Sequence, residues 1–133
     1  MTAFYIYYDI KSRRLMYTNA GYPSLEVFRF EKGNFDSLST EGIPLGHNYE
    51  ASYDIARTDL SHGDIGVLYS RSLVSSKNQK GEPFGLNKLR HVVMDFSARG
   101  AAEITGEIRK SYEGFMGLSS PDSDIGVIVF KII

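Results

Sequence analysis

A chain of 133 residues is long enough for one domain and too short for two comfortable ones. Apolar residues make up 42% and charged residues 23%, which excludes bulk disorder, and Lys+Arg 15 against Asp+Glu 16 leaves a net charge of -1, which excludes capture of nucleic acid or an anionic membrane by a global field. The absence of cysteine removes disulfides, thiolate metal sites and cysteine nucleophiles, as in a reducing compartment, and no apolar run approaches the ~20 residues that span a bilayer.

Met1-Thr2-Ala3 runs straight into an alternating strand with no basic segment ahead of an apolar one, so no signal peptide is read there and the expected location is the cytoplasm. Phe4 to Ile10 is aromatic and β-branched, Lys11 to Arg14 is a polar turn, and Leu15 to Thr18 returns, which predicts a hairpin. Asn19-Ala20-Gly21-Tyr22-Pro23 breaks the pattern with turn chemistry. Leu25 to Phe30 alternates as a half-buried strand should, and Lys32-Gly33-Asn34 is a tight turn into Phe35 to Leu38. Gly42 to Gly46 is a loop. Tyr53 to Thr58 and Ile65 to Tyr69 are expected to pair antiparallel across Leu60 to Asp64. Ser70-Arg71-Ser72 is a polar corner at the end of an apolar strand, opening a long hydrophilic loop. Leu86, Leu89, Val92, Val93 and Phe96 form one helical stripe; Ala101, Ile104, Ile108, Tyr112 and Phe115 form a second, with Gly117 as its stop. Ile125 to Ile133 is a last apolar strand. Many strands, two amphipathic helices and a strand predict an α+β fold with helices packed on antiparallel sheet.

Several of these stretches, in order, resemble one family. They are Thr2-Ala3-Phe4-Tyr5, Leu15 to Pro23, Gly42-Ile43-Pro44-Leu45-Gly46, Leu60 to Asp64, Val67 to Gly85 and Asp122 to Ile125. Together they are similar to the C-terminal two-thirds of a SpoIIE-type domain, the bacterial branch of the metal-dependent type 2C serine/threonine phosphatases. That family shows TaF, yaNAGHpP, G-x-P-LG, l-x-x-GD, lyTDGv-E-x-x-N-x-x-GE-x-FG and DD-x-T. The resemblance implies an antiparallel β-sandwich flanked by helices in αββα layers, incomplete at its N-terminus, with residues 1–133 as a single partial domain. Met1 is then either the natural start or an internal residue of a longer domain.

The resemblance also implies chemistry. Two Mn²⁺ or Mg²⁺ ions, held by aspartates, activate a bridging water against a phosphoserine or phosphothreonine, and such hard cations demand anionic oxygen. The family's TDG corner falls on Ser70-Arg71-Ser72, so its ligand aspartate is replaced by Arg71. In the DD-x-T element the ligand aspartate is replaced by Ser123, leaving Asp122 and Asp124 as the neighbouring acids. The remaining ligands belong to a segment N-terminal to the TaF strand. No catalytic residue and no resident metal are therefore expected of this chain alone.

Outside the family motifs, His47, His62 and His91 are scattered without partners in motif spacing, and each reads as a surface or packing residue. Asp64 reads as a turn acid that caps local backbone N–H groups, and Lys11, Arg13 and Arg14 as a solvated turn. Gly81 to Gly85 lacks the Lys-Ser/Thr pair of a phosphate loop and reads as the lead into a helix. The leading expectation is a catalytically inactive SpoIIE-like domain acting as a regulatory or protein-binding module in bacterial signalling. Family members act in partner-switching systems, so a protein partner is implied. The alternative is a fragment of an active metal-dependent phosphatase. A sandwich lacking its first strands would also leave edges open, so self-association with a second copy is expected.

Overall fold

Residues 1–133 are described by a computed structural model. The N-terminal strand formers make a hairpin, β1 (Ala3–Asp9) against β2 (Arg14–Ala20), with Phe4 opposite Asn19 and Asp9 opposite Arg14. Its turn is fastened by the Asp9 carboxylate, which accepts the Lys11 N–H and the Ser12 hydroxyl, both at 2.9 Å. The Ser12 hydroxyl first, and the Lys11 N–H after it, hold the Asp9 carboxyl below its ordinary 3.8. A lowered acid contributes above its unfolded value and loses that contribution as pH falls through the folded one, so this turn loosens only in strong acid.

A second hairpin joins β3 (Leu25–Arg29) to β4 (Asn34–Leu38) through Gly33, which sits at φ 68°. The chain then forms β5 (Ala56–Asp59), β6 (Ile65–Tyr69), α1 (Arg71–Ser75), α2 (Leu86–Asp95), α3 (Ala101–Met116) and β7 (Val127–Lys131). One sheet has the order β1-β2-β5 and the other β4-β3-β6-β7, with all pairings antiparallel.

The expected pairing of the segments around β5 and β6 is not formed, because they lie in different sheets. The connection at residues 60–64 crosses the sandwich, with Leu60 buried between the sheets. Asp64 fixes the crossing. Its Oδ1 accepts the Phe30 N–H at 3.0 Å, and its Oδ2 accepts the Ser61 N–H at 2.9 Å and the Arg29 guanidinium at 3.3 Å. Arg29 also donates to the Asp59 carbonyl and to the Thr58 hydroxyl, at 2.7 and 2.8 Å, so a residue of one sheet grips the edge strand of the other. The turn-capping reading of Asp64 describes its Ser61 bond but not these long-range ones.

Between the sheets, Leu15, Tyr17, Leu25, Val27, Leu60 and Ile132 form one core. The other face of the four-stranded sheet packs Phe28, Ile65, Val67 and Tyr69 against the helices. β3 is thus buried on both faces from Leu25 to Phe28, where alternation predicts one wet face. Glu26 lies on the helix-covered face and is satisfied there by the Arg90 guanidinium and the Ser37 hydroxyl, at 2.8 and 2.7 Å. The predicted helices are α2 and α3. Phe96 falls just past the end of α2, Met116 takes the last buried position of α3, and Gly117 closes it at φ 57°.

The layers are therefore sheet, sheet and helices. The outer face of the three-stranded sheet carries no helix, and Tyr5, Tyr7 and Ile55 stand exposed on it. Inside, the Phe130 ring occupies the place a side chain would take on its cross-strand neighbour Gly66. Gly66→Ala is expected to lower unfolding free energy by about 1–3 kcal/mol through overpacking, read by urea denaturation. Arg90→Met, which strands the Glu26 carboxylate, is expected to cost about 2–3 kcal/mol by the same measurement.

Candidate functional site

Strand β6 delivers the chain to Ser70, whose extended backbone (φ -71°, ψ 147°) turns it into α1. In sequence, α1 reads as part of the hydrophilic loop that follows the corner. Ser, Val and Ser are weak helix formers, and no side chain caps the N-terminus of this five-residue helix. Burial of Leu73 in the helix-side core holds it in place. The signal available in the sequence was the apolar pair Leu73-Val74 amid polar neighbours. After the helix, the Ser76 hydroxyl donates to the Ser72 carbonyl at 2.5 Å and accepts from Tyr112 Oη at 3.0 Å. The Asn78 side chain accepts the Lys80 and Glu82 N–H groups, both at 3.0 Å, which folds the following loop on itself. That loop ends at Gly85, at φ 82°, and passes into α2 as expected.

The structure brings together the corner at Ser70 and the loop before β7, the two stretches that the sequence sets against the family's aspartates. Ser70 N–H donates to the Gly126 carbonyl at 2.8 Å, and Gly126 N–H donates back to Ser70 Oγ at 2.9 Å. Ser72 Oγ donates to the Asp124 carbonyl at 2.6 Å and lies 3.1 Å from Ser70 Oγ. Two hydroxyls thus clasp the corner to the loop before β7, across more than fifty residues of sequence.

Arg71, Asp122, Ser123 and Asp124 are all exposed around this clasp. None of the three charged ones takes part in an ion pair. Beneath it, Tyr69 is buried; burial first, and the Glu26 carboxylate second, push its hydroxyl above the ordinary 10.0, with Arg90 and Arg71 opposing.

A third family stretch adjoins the same place. Asn19 is buried and donates through Nδ2 to the Tyr22 carbonyl and to Ser39 Oγ, at 2.7 and 2.8 Å, while its Oδ1 accepts the Tyr22 N–H at 2.8 Å. This knot sets Tyr22 beside Gly126, in the wall of a cleft of about 430 Å³. In sequence, Asn19 reads as turn chemistry within a family stretch, with no contacts assigned to its side chain. Gly42 completes the packing, because a side chain there would run into the Asn19 carbonyl.

The donors at the corner do not fit a pair of divalent cations. They are hydroxyls and backbone carbonyls already engaged with one another, where Mn²⁺ or Mg²⁺ takes carboxylate oxygen. Nowhere in the chain do three His, Asp or Glu side chains converge as a metal-binding group. The histidines are separated and exposed: His47 in the loop after Gly46, His62 in the crossover and His91 on α2. Of the basic turn, Arg14 meets Asp59 at 3.3 Å across exposed surface, and Lys11 and Arg13 face solvent.

The family model for stage II sporulation protein E (SpoIIE) matches residues 1–133. No curated sequence matches the chain. Among solved structures, it is similar to the SiaA-PP2C domain of Pseudomonas aeruginosa, at TM-score 0.81 and 18% identity over 99% of this chain and 52% of that one. It is similar to the phosphatase domain of the cell fate determinant SpoIIE from Bacillus subtilis, from a Mn-presoaked crystal, at TM-score 0.73 and 14% identity, covering 99% of this chain and 56% of that one. The RsbU and RsbW domains of Rv1364c from Mycobacterium tuberculosis match at TM-score 0.76 and 16% identity, over 98% of this chain and 36% of that one. At these identities the likeness is one of fold. The chain spans about half the length of the first two.

Removing one hydroxyl of the clasp tests its weight. Ser72→Ala is expected to lower stability by about 1 kcal/mol and to raise hydrogen exchange at Gly126, with the helices unchanged.

Proposed function

The chain belongs to the SpoIIE family, and from that premise we propose that these 133 residues form a catalytically inactive member of it, a regulatory module that binds a protein partner in bacterial signalling. The observation that carries this reading is the content of the corner. The positions that the family pattern aligns with two ligand aspartates hold Arg71 and Ser123, each next in sequence to a residue of the hydroxyl clasp. A guanidinium cannot ligate a metal, and its fixed positive charge opposes two divalent cations at short range. Without a metal there is nothing to lower the pKa of an attacking water.

Support for a signalling role comes from the company the fold keeps. One similar structure joins an RsbU domain to an RsbW domain, and another is described as a cell fate determinant. The binding surface assigned by this reading is the exposed rim of Arg71, Asp122 and Asp124, which carries charge of both signs and no internal ion pair. No helix of the chain is long and apolar enough to cross a membrane.

A second reading, a piece of an active phosphatase, draws on the chain spanning about half of the SiaA and SpoIIE phosphatase domains. Residues supplied from elsewhere would restore other ligands but would leave Arg71 and Ser123 in place. The test is hydrolysis of p-nitrophenyl phosphate with Mn²⁺ or Mg²⁺ added. The expected result is no turnover above the protein-free blank. Turnover abolished by chelator and weakened by Asp124→Asn would overturn the inactive reading.

A further inference from the structure

The cations of this chain are unevenly engaged. Six of the fifteen Lys and Arg side chains form ion pairs, and the Lys131 ammonium donates to the Ser97 and Arg99 carbonyls. Of the eight others, four fall within eighteen residues, Arg71, Lys77, Lys80 and Lys88, all exposed and with Glu82 the one acid among them. Asp122 and Asp124 flank Arg71 at the corner, so the positive excess lies over the three lysines. The fold gathers these. Phe84 N–H donates to the Ser76 carbonyl and Gly85 N–H to the Val74 carbonyl, both at 2.9 Å, so the loop from Lys77 to Pro83 leaves and returns at the end of α1, with Lys77 bridged to Pro83 at its base. Lys88 follows in the first turn of α2. Its Nζ stands 5.0 Å from the centre of the Phe115 ring, which lies 5.5 Å from the ring of Phe84. Buried Phe84 anchors the loop, and within it Asn78 N–H donates to the Glu82 carbonyl and Gly81 N–H to the Asn78 carbonyl, both at 2.9 Å.

We propose that the surface formed by Lys77, Lys80 and Lys88 is where a protein partner docks, through an acidic segment rich in Asp and Glu. Like charges held together repel, and their complement is a surface of opposite sign. The loop's own bonds keep the lysines presented before a partner arrives, so little order is lost on docking. Nucleic acid fits this surface less well. A duplex site engages about 6–10 phosphates, more than three lysines match, and a single strand needs exposed rings to stack on. The one aromatic ring of the segment, Phe84, is buried. This surface names the chemistry of the partner and so rests on the reading of the chain as a binding module, but it holds whether or not the corner is catalytic.

The test is fluorescence anisotropy of a fluorescein-labelled glutamate homopeptide titrated with the full chain at about 20 mM and about 200 mM salt. Saturable binding is expected at the lower salt, at least about tenfold weaker at the higher. Lys77→Glu combined with Lys80→Glu is expected to weaken it at least about tenfold, and Lys88→Glu alone about threefold. Lys11→Glu combined with Arg13→Glu makes the same charge change on the turn between β1 and β2, and is expected to leave affinity within about twofold. Three results overturn the proposal. They are no binding at the lower salt, equal weakening by both double variants, and tighter binding of a thymidine oligonucleotide of the same length, which gives the surface to nucleic acid. Each variant is checked for a cooperative thermal transition, and Lys88→Glu, on α2, decides if the loop variant does not fold. The peptide titration contains no phosphate ester, so turnover of p-nitrophenyl phosphate would defeat the inactive reading and leave the docking surface standing.

Discussion

A carboxylate taken out of water between two sheets must be fully hydrogen-bonded, and the architecture is arranged around meeting that demand for Asp64. Its two oxygens hold a backbone N–H of one hairpin, the N–H of its own turn and the guanidinium of Arg29. Because Arg29 reaches on to the Thr58 hydroxyl and the Asp59 carbonyl, the same cluster sets how far apart the sheets stand and where β6 begins. The direction of β6 then fixes where it ends, at Tyr69, and so where the corner at Ser70 meets the loop before β7. A buried acid at one end of a strand thus positions the polar site at the other.

How much of this was legible depended on whether the deciding interaction was local. The two N-terminal hairpins were readable, because strand periodicity and a short turn carry their own information. The long helices were readable from their stripes. The partner of β5 was not. Nearness in sequence favoured β6, while the structure used β2, and the cause is a crossover held by Arg29, more than thirty residues away from Asp64. Glu26 failed for a related reason: a charged residue in an alternating strand reads as wet until helices from later in the chain cover it and bring Arg90. α1 escaped because five residues are too few to form a helix by themselves, and Leu73 is ordered by a core assembled elsewhere.

At the site, residue identities could be compared without the fold, and the geometry could not. Arg71 and Ser123 could be set against the family pattern from residue type alone, and the fold and family agree with the frame that made the comparison meaningful. What the sequence did not convey is how the corner is held. Ser70 and Ser72 use their hydroxyls to tie it to the Asp124–Gly126 backbone. The same knitting of neighbouring loops extends to Asn19, whose amide carries two bonds to Tyr22 of its own turn and one to Ser39 beyond β4. Loops joined in this way present a fixed surface, and a fixed surface suits recognition, since little order remains to be imposed when a partner arrives.

The position of β7 in the second sheet has a kinetic meaning as well. β6 and β7 are adjacent in the sheet, yet all three helices intervene between them in the chain. The N-terminal hairpins close over a few residues and form quickly, whereas this pairing must wait for the loop entropy of some sixty residues to be overcome. Until then Gly66 has no Phe130 beside it, and β6 itself is the open edge. The longest closure in either sheet is therefore the one that seals the sandwich and assembles the clasp, so the corner depends on the least local contact of the fold.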